Sequence, residues 1–281
     1  MKKKINYKNL ILKRRKEKLN NVLRKVEELA KDKNSNRCAK TIFYIVKIYA
    51  DSINYKNNVN LLCGCDTYDI NNDTYLIKSV NPISNVDVNL QLGKVPVVTW
   101  VREQKKQIDT LRDIGNKDNL WKEDKERHWY NLYLPLGLVV TTNDGNHSVN
   151  CGIVKSVGMI NISSNKDTTN IYDNSDIYNR VFFDGKYYRD IRTNKILART
   201  KFECGCLFEI GRIIKKYEIF FLDIFKEDIQ KSNTESKETS LLIEFTKDER
   251  KLIDKYAATL SMTPENAIKS VAFKEIEKLI V

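Results

Sequence analysis

Histidine is nearly absent from this chain: there are two in 281 residues. Proline (four) and glycine (ten) are also scarce, which excludes collagen-like and proline-rich architectures. No apolar run approaches the roughly 20 residues that a membrane-spanning helix needs, so no membrane partner is expected. Basic Met1–Lys4 is not followed by an uninterrupted apolar stretch with a small-residue cleavage site, so no signal peptide is expected. Six cysteines are too few for a disulfide scaffold, and a reducing cytoplasm is the expected setting. No complete catalytic signature is present, and nothing calls for a cofactor.

What is present is a core and an uneven charge. Hydrophobic residues make up 41% and aromatics 10%, enough to exclude global disorder. Heavy use of Asn, Lys and Ile fits an AT-rich bacterial or phage genome. The formal net charge is +12, and residues 2–33, with 13 Lys/Arg against four Asp/Glu, carry +9 of it. Residues 240–281 hold seven of each sign and are neutral. The positive field is therefore an N-terminal feature. Leu19, Val22, Val26, Leu29 and Ala30 recur at helical spacing with Lys/Arg opposite. The arm reads as an electrostatic contact to phosphate, of nucleic acid or anionic lipid, with Lys13, Arg14, Arg15 and Lys16 the candidate nucleic-acid contacts; the plainer reading is a docked helix with a solvated basic face.

The pattern predicts an α+β fold: a basic helical region over 1–54, a mixed main domain over 55–230, a linker over 231–239 and a strand-helix-helix module over 240–281. A second helix is expected over 37–54, then an irregular Asn-rich stretch over 55–72. A short strand is expected over Tyr75–Val80, and an extended segment at Val95–Val98. A helix over Trp100–Ile114 should turn Trp100, Ile108, Leu111 and Ile114 inward. Leu132–Thr142 reads as a strand interrupted by Pro135, and Ser148–Ser156 as a helix. Val181–Tyr188 reads as an aromatic hairpin around Asp184-Gly185. Residues 203–229 read as one long apolar helix or two abutting ones. Lys231–Thr239 has no apolar residue to anchor it.

Asp144-Gly145-Asn146-His147-Ser148 is the chemically suggestive turn. A glycine there permits positive φ, and the helix that follows offers free N–H groups and a positive dipole end to an anion. Gly145, Asn146, His147 and Ser148 are the candidate phosphate-binding residues, expected beside a concavity also lined from 121–128 and walled by Trp121 and Trp129. His147 and His128, with Asp144, are the candidates for acid–base work near neutral pH; the plainer reading makes His147 a staple of the turn. Cys63-Gly64-Cys65 and Cys204-Gly205-Cys206 invite a zinc reading, but side chains two apart on a helix point apart, so free thiols and no metal are expected.

Taken together, Trp121-Lys122-Glu123-Asp124, His128, Leu134-Pro135-Leu136-Gly137, the Gly145–Ser148 turn, Asp184-Gly185 and Phe208-Glu209-Ile210-Gly211-Arg212 resemble the bacterial 6710 domain of unknown function over about 95–217. That resemblance supplies a domain and no mechanism. The strand, turn and His at 138–148 are also similar to the ParB/sulfiredoxin-like superfamily, with Ser148 where that family has Arg; this implies a nuclease or nucleotide hydrolase centred on His147. At the C-terminus, Ile243–Arg250, Tyr256-Ala257 and Ser261–Ile268 resemble a ribbon-helix-helix module. That implies a homodimer through 240–281, with Leu242 and Glu244 facing DNA. Three readings follow: a nucleic-acid-associated binding or regulatory protein, the ParB-like enzyme, or a non-catalytic interaction protein such as an antitoxin or anti-defence factor.

Overall fold

A computed structural model describes residues 7–32, 36–78, 81–124, 126–224 and 247–259. The chain divides into two units, Met1–Ser232 and Asn233–Val281. The first is built on two long helices. In α1 (Tyr7–Lys31), Leu19, Val26 and Ala30 are buried while Lys13, Arg14, Lys16 and Lys18 face solvent. In α2 (Asn36–Leu62), Ala39, Ile42, Phe43, Val46, Ala50 and Ile53 form the inward stripe. Both helices pack on α5 (Phe202–Lys216) and share one core with the sheets, so the basic helices belong to the first unit. Each fully buried Val or Leu there contributes about 1.5–3 kcal/mol, which is why the basic face stays outward.

Three small sheets complete the unit. β1 (Asp87–Gln91) pairs antiparallel with β5 (Met159–Ser163). A four-stranded sheet runs in the order β2 (Val97–Val98), β4 (Leu138–Thr141), β3 (Tyr130–Leu134), β6 (Thr169–Asp173). In it β3 and β4 are antiparallel, while β2 lies parallel to β4 and β6 parallel to β3. A meander joins β7 (Val181–Phe183), β8 (Tyr187–Asp190) and β9 (Ile196–Arg199). The Asp-Gly hairpin is present between β7 and β8: Asp184 Oδ1 accepts from the N–H groups of Lys186 and Tyr187, both at 2.9 Å. Helices α3 (Gln104–Asp113) and α4 (Asn146–Lys155) pack on each other. In the second unit α6 (Lys247–Thr259) forms as expected; the linker 231–239, the strand 241–246 with Leu242 and Glu244, and the last expected helix lie outside the described residues.

Four expectations need correction. The strand over 132–142 is a hairpin, because Pro135 has no N–H for the ladder and Gly137 turns the chain at φ +69°. Helix α2 continues to Leu62, because Asn54 and Asn57 are buried and bond outward to Val97 O (2.7 Å) and Tyr68 O (2.9 Å) instead of breaking the helix. Tyr75–Lys78 is no strand: the buried Asp73 folds it into a turn by accepting from the N–H groups of Leu76 (3.0 Å) and Tyr75 (3.3 Å). On α3 the inward residue is Gln107, fully buried, while Ile108 is 47% exposed. Its Nε2 donates to Asn150 Oδ1 (2.8 Å) and Asn58 Oδ1 (3.1 Å), so a polar network sets that helix's rotation.

Asp73 also ties the segment after α2 to the meander and to the residue that follows it. Its Oδ2 accepts from the hydroxyls of Tyr68 and Tyr188, both at 3.4 Å, and of Thr200. Replacing Asp73 by Ala strands these buried donors and should cost at least about 3 kcal/mol in urea unfolding. A loss under about 1 kcal/mol would show that water satisfies them instead.

Candidate functional site

Strand β4 delivers the chain to the turn 142–145, and α4 begins there. Gly145 is the N-cap with φ +84°, and a Cβ on it would collide with the His128 ring. The side chain of Asn146 is spent on the frame. Its Oδ1 accepts from the Trp100 N–H (3.0 Å) and the Thr141 hydroxyl, and its Nδ2 donates to Asn143 O (2.9 Å). The first backbone bond of the helix runs from Val149 N–H to Gly145 O (3.0 Å). Within the described residues, the N–H groups of Asn146, His147 and Ser148 have no partner, and Gly145 has no side chain to cap them.

The residues that carry these N–H groups line a cleft of about 620 Å³. The turn 143–148 forms one wall, Arg102, Glu103 and Lys106 another, and Trp121, Lys122, Asp124, Arg127 and His128 a third. The structure thus brings together Asp144, Gly145, Asn146, His147, Ser148 and His128. Trp121 is the floor: its ring stacks on His128 at 5.4 Å and 23°, and its Nε1 donates to Ser148 O (2.7 Å). Trp129 does not line the cleft; its Nε1 is turned to Glu126 O (3.0 Å). The patch Lys13–Lys16 lies on α1, apart from the cleft lining. Among cations of the cleft, Arg102 and Lys106 were missed from sequence; the signal was the basic, polar run from Arg102 to Lys106 opening a helix.

The two histidines have different jobs. The Nδ1 of His128 accepts from the Asp124 N–H (3.0 Å), which fixes the proton on Nε2 in the neutral ring. That Nε2–H lies 2.7 Å from Ser148 Oγ, which in turn donates to Gly145 O (3.0 Å). A serine beside a histidine suggests a nucleophile and its base, but the polarity runs the wrong way: the imidazole donates to the serine and has no lone pair left for its proton. Nor does Asp124 orient the ring with its carboxylate, because Oδ1 is held by the N–H groups of Glu126 (3.0 Å) and Arg127 (3.2 Å). The chain 124–128–148–145 is a staple. His147 is buried, and its Nε2 faces the Glu103 N–H at 3.4 Å, leaving Nδ1–H as a donor without a protein partner among the described residues. Asp144 is exposed and lines the cleft without a hydrogen bond among these residues.

Among the described residues no group of His, Cys, Asp and Glu is placed to hold a metal ion. Cys204 and Cys206 are buried in α5, where burial pushes the Cys206 thiol up to about 12, while Cys63 and Cys65 are exposed. No helix among these residues is long and apolar enough to cross a membrane.

Burial lowers both histidine pKa values from the ordinary 6.5; at His147 the nearby Lys106 lowers it further, while at His128 Asp124 pulls it back up. Between the lowered folded value and 6.5 the unfolded chain holds more protons than the folded one. The full stability is thus present above pH 6.5 and is lost as pH falls below it. The melting midpoint should decline from pH 7 toward 5, and ring resonances in NMR should show His128 neutral and Nε2-protonated at pH 7. A His128 titrating above 6.5 would overturn the staple.

One family model matches residues 3–221, under the description of a family of unknown function (DUF6710). The match spans α1 and α2 as well as the stretch 95–217 that carries the resemblance in sequence. No curated protein and no solved structure matches the chain. Helices α1 to α5, the three sheets and the cleft all fall within the matched span, and the chain belongs to this family of unknown function, DUF6710.

Proposed function

We propose that the first unit is a binding module for a phosphate-bearing ligand, held at the N-terminus of α4. One observation carries this: Asn146, His147 and Ser148, whose backbone N–H groups have no partner among the described residues, line one cleft, and the Nδ1–H of the buried His147 is also unused. A helix N-terminus carries roughly half a positive charge and its N–H groups match anionic oxygens. Lys106 and Lys122 line the cleft and make no ion pair among the described residues. The ParB-like hydrolase reading is less well supported, because His147 Nε2 is engaged by Glu103 and His128 is fixed as a donor. Binding without turnover is therefore the reading that fits this hydrogen-bond polarity.

Titrating inorganic phosphate into the full chain should change Trp fluorescence, since Trp121 is bonded to the first turn of α4. Replacing His147 by Ala removes one charge-assisted bond and should weaken binding roughly ten- to a hundred-fold. The melting temperature should stay within a few degrees. Silence of the wild-type protein toward phosphate would remove this reading and advance the interaction-protein alternative.

A second observation favours contact with nucleic acid. Lys13, Arg14, Lys16 and Lys18 form an exposed face of α1 without an acidic partner among the described residues. Deleting the helix would remove core residues, so charge reversal is the appropriate test. Replacing these four by Glu should weaken DNA or RNA binding and flatten its salt slope by about 0.9 for each duplex phosphate no longer neutralised. An unchanged slope means a solvated face. Self-association through 240–281 belongs to the same proposal, with Leu242 and Glu244 as its expected DNA-facing positions.

A further inference from the structure

A second cleft, of about 520 Å³, shares Arg102, Asn143, Asp144 and Asn146 with the first. The two therefore meet at the turn that begins α4. Its distinctive feature is a flat, fixed platform. The Trp100 indole is held by Nε1–H···Oγ1 of Thr67 (3.0 Å), and Thr67 by Val101 O (2.9 Å). The Arg102 guanidinium lies 4.8 Å from the centre of the Trp100 ring. An indole with a guanidinium laid on it is a surface on which a nucleobase stacks.

The edge of this cleft is supplied by the turn at residues 69–72. Asp69 Oδ1 is occupied by the Asn71 N–H (2.9 Å) and side-chain amide (3.0 Å). Its Oδ2 receives only the Asn72 amide at 3.4 Å, so acceptor capacity remains on a carboxylate that lines the cleft. A carboxylate at the edge of a stacking platform suits a base that presents adjacent N–H donors. Guanine does this with its ring N–H and exocyclic amine; adenine does not present such a pair. A volume of 520 Å³ falls within the about 300–1,000 Å³ common for small-molecule sites.

We infer that the second cleft is the base subsite of a guanine nucleotide whose phosphate occupies the α4 N-terminus. Trp100 and Arg102 form the stack, and Asp69 reads the Watson–Crick edge. The inference rests on the phosphate reading above and adds the ligand class. It also gives Arg102, common to both clefts, a bridging position between base and phosphate.

The test compares GMP with ribose 5-phosphate by calorimetric titration of the full chain. The two share the sugar and phosphate and differ in the base. GMP should bind roughly ten-fold tighter, the contribution of one stacked base. Trp100→Leu should erase that difference and leave ribose 5-phosphate affinity unchanged. Asp69→Asn keeps a residue able to cap the 69–72 turn, so it guards against a folding defect in the Trp100 variant. It too should bring GMP toward ribose 5-phosphate. Equal affinity of the two ligands for the wild-type protein would overturn the base subsite and leave the phosphate reading standing. A GMP preference that survives both substitutions would place the base elsewhere and overturn the inference. Failure of both ligands to bind would remove the two readings together.

Discussion

The segment that leaves β2 carries N–H groups that find no strand partner, and the structure depends on how they are met. Thr99 donates to Asn54 Oδ1 of α2 (3.0 Å), and Trp100 to Asn146 Oδ1 of α4 (3.0 Å). Two side-chain amides thus complete a sheet edge that backbone does not. The network continues inward: Asn150 donates to the Thr99 hydroxyl (2.8 Å), and Gln107 donates to Asn150 (2.8 Å). Helices α2, α3 and α4 are locked to one short strand by bonds that are buried and directional. Buried amides cost more than apolar side chains when a partner is missing, so the network enforces one arrangement and not merely a compact one. It also fixes where α4 starts. The Asn146 side chain is spent on Trp100, Thr141 and Asn143, and Gly145 as N-cap has no side chain for the first N–H groups of α4.

The residues that carry the family resemblance divide into two physical roles. Glu209 and Arg212 lie in α5. Glu209 Oε1 accepts from the Phe183 N–H (2.7 Å), and Arg212 donates to the carbonyls of Tyr178 and Val181 while paired with Glu209 at 2.8 Å. Gly211 lets Tyr178 approach the helix, since a Cβ there would collide with its hydroxyl. This half of the pattern fastens the central helix to the meander. The other half, around Gly145 and His128, builds the cleft. Gly145 has to lack a side chain twice over, for its positive φ and for the histidine ring against it.

Much of this was legible in the sequence wherever one residue type has one use. Asp184-Gly185 announced the hairpin, and Gly145 followed by polar residues announced a helix start. The two histidines and Trp121, close in sequence to a turn and a strand, announced a shared concavity. What was not legible is the polar core. Hydrophobic periodicity assigns Ile108 inward and Gln107 outward; the reverse holds because Gln107 finds Asn150 and Asn58, and nothing local encodes that. The same cause extended α2 through Asn54 and Asn57, whose partners lie 43 and 11 residues away. Tyr75–Lys78 has strand-forming residues, yet a buried carboxylate at Asp73 outcompetes the strand for their N–H groups. Trp129 was misplaced because alternation along the chain does not say which carbonyl its indole will reach.

Charge in this molecule acts at two ranges. The cleft lining holds four Lys/Arg and three Asp/Glu, so its net field is small. On the phosphate reading, an anion there is distinguished by fixed donors, namely the α4 N–H groups and His147. The α1 face differs: it is solvent-exposed and predominantly cationic, with Glu17 the acid among Lys13, Arg14, Lys16 and Lys18, and its potential extends over a Debye length of about 10 Å at 0.1 M salt. Such a face gathers polyanions without selecting among them. On the two proposed readings, the short-range site selects and is nearly neutral, while the long-range patch attracts and is nonspecific. Raising salt therefore weakens the second far more than the first. That difference separates the two contributions whenever one ligand engages both.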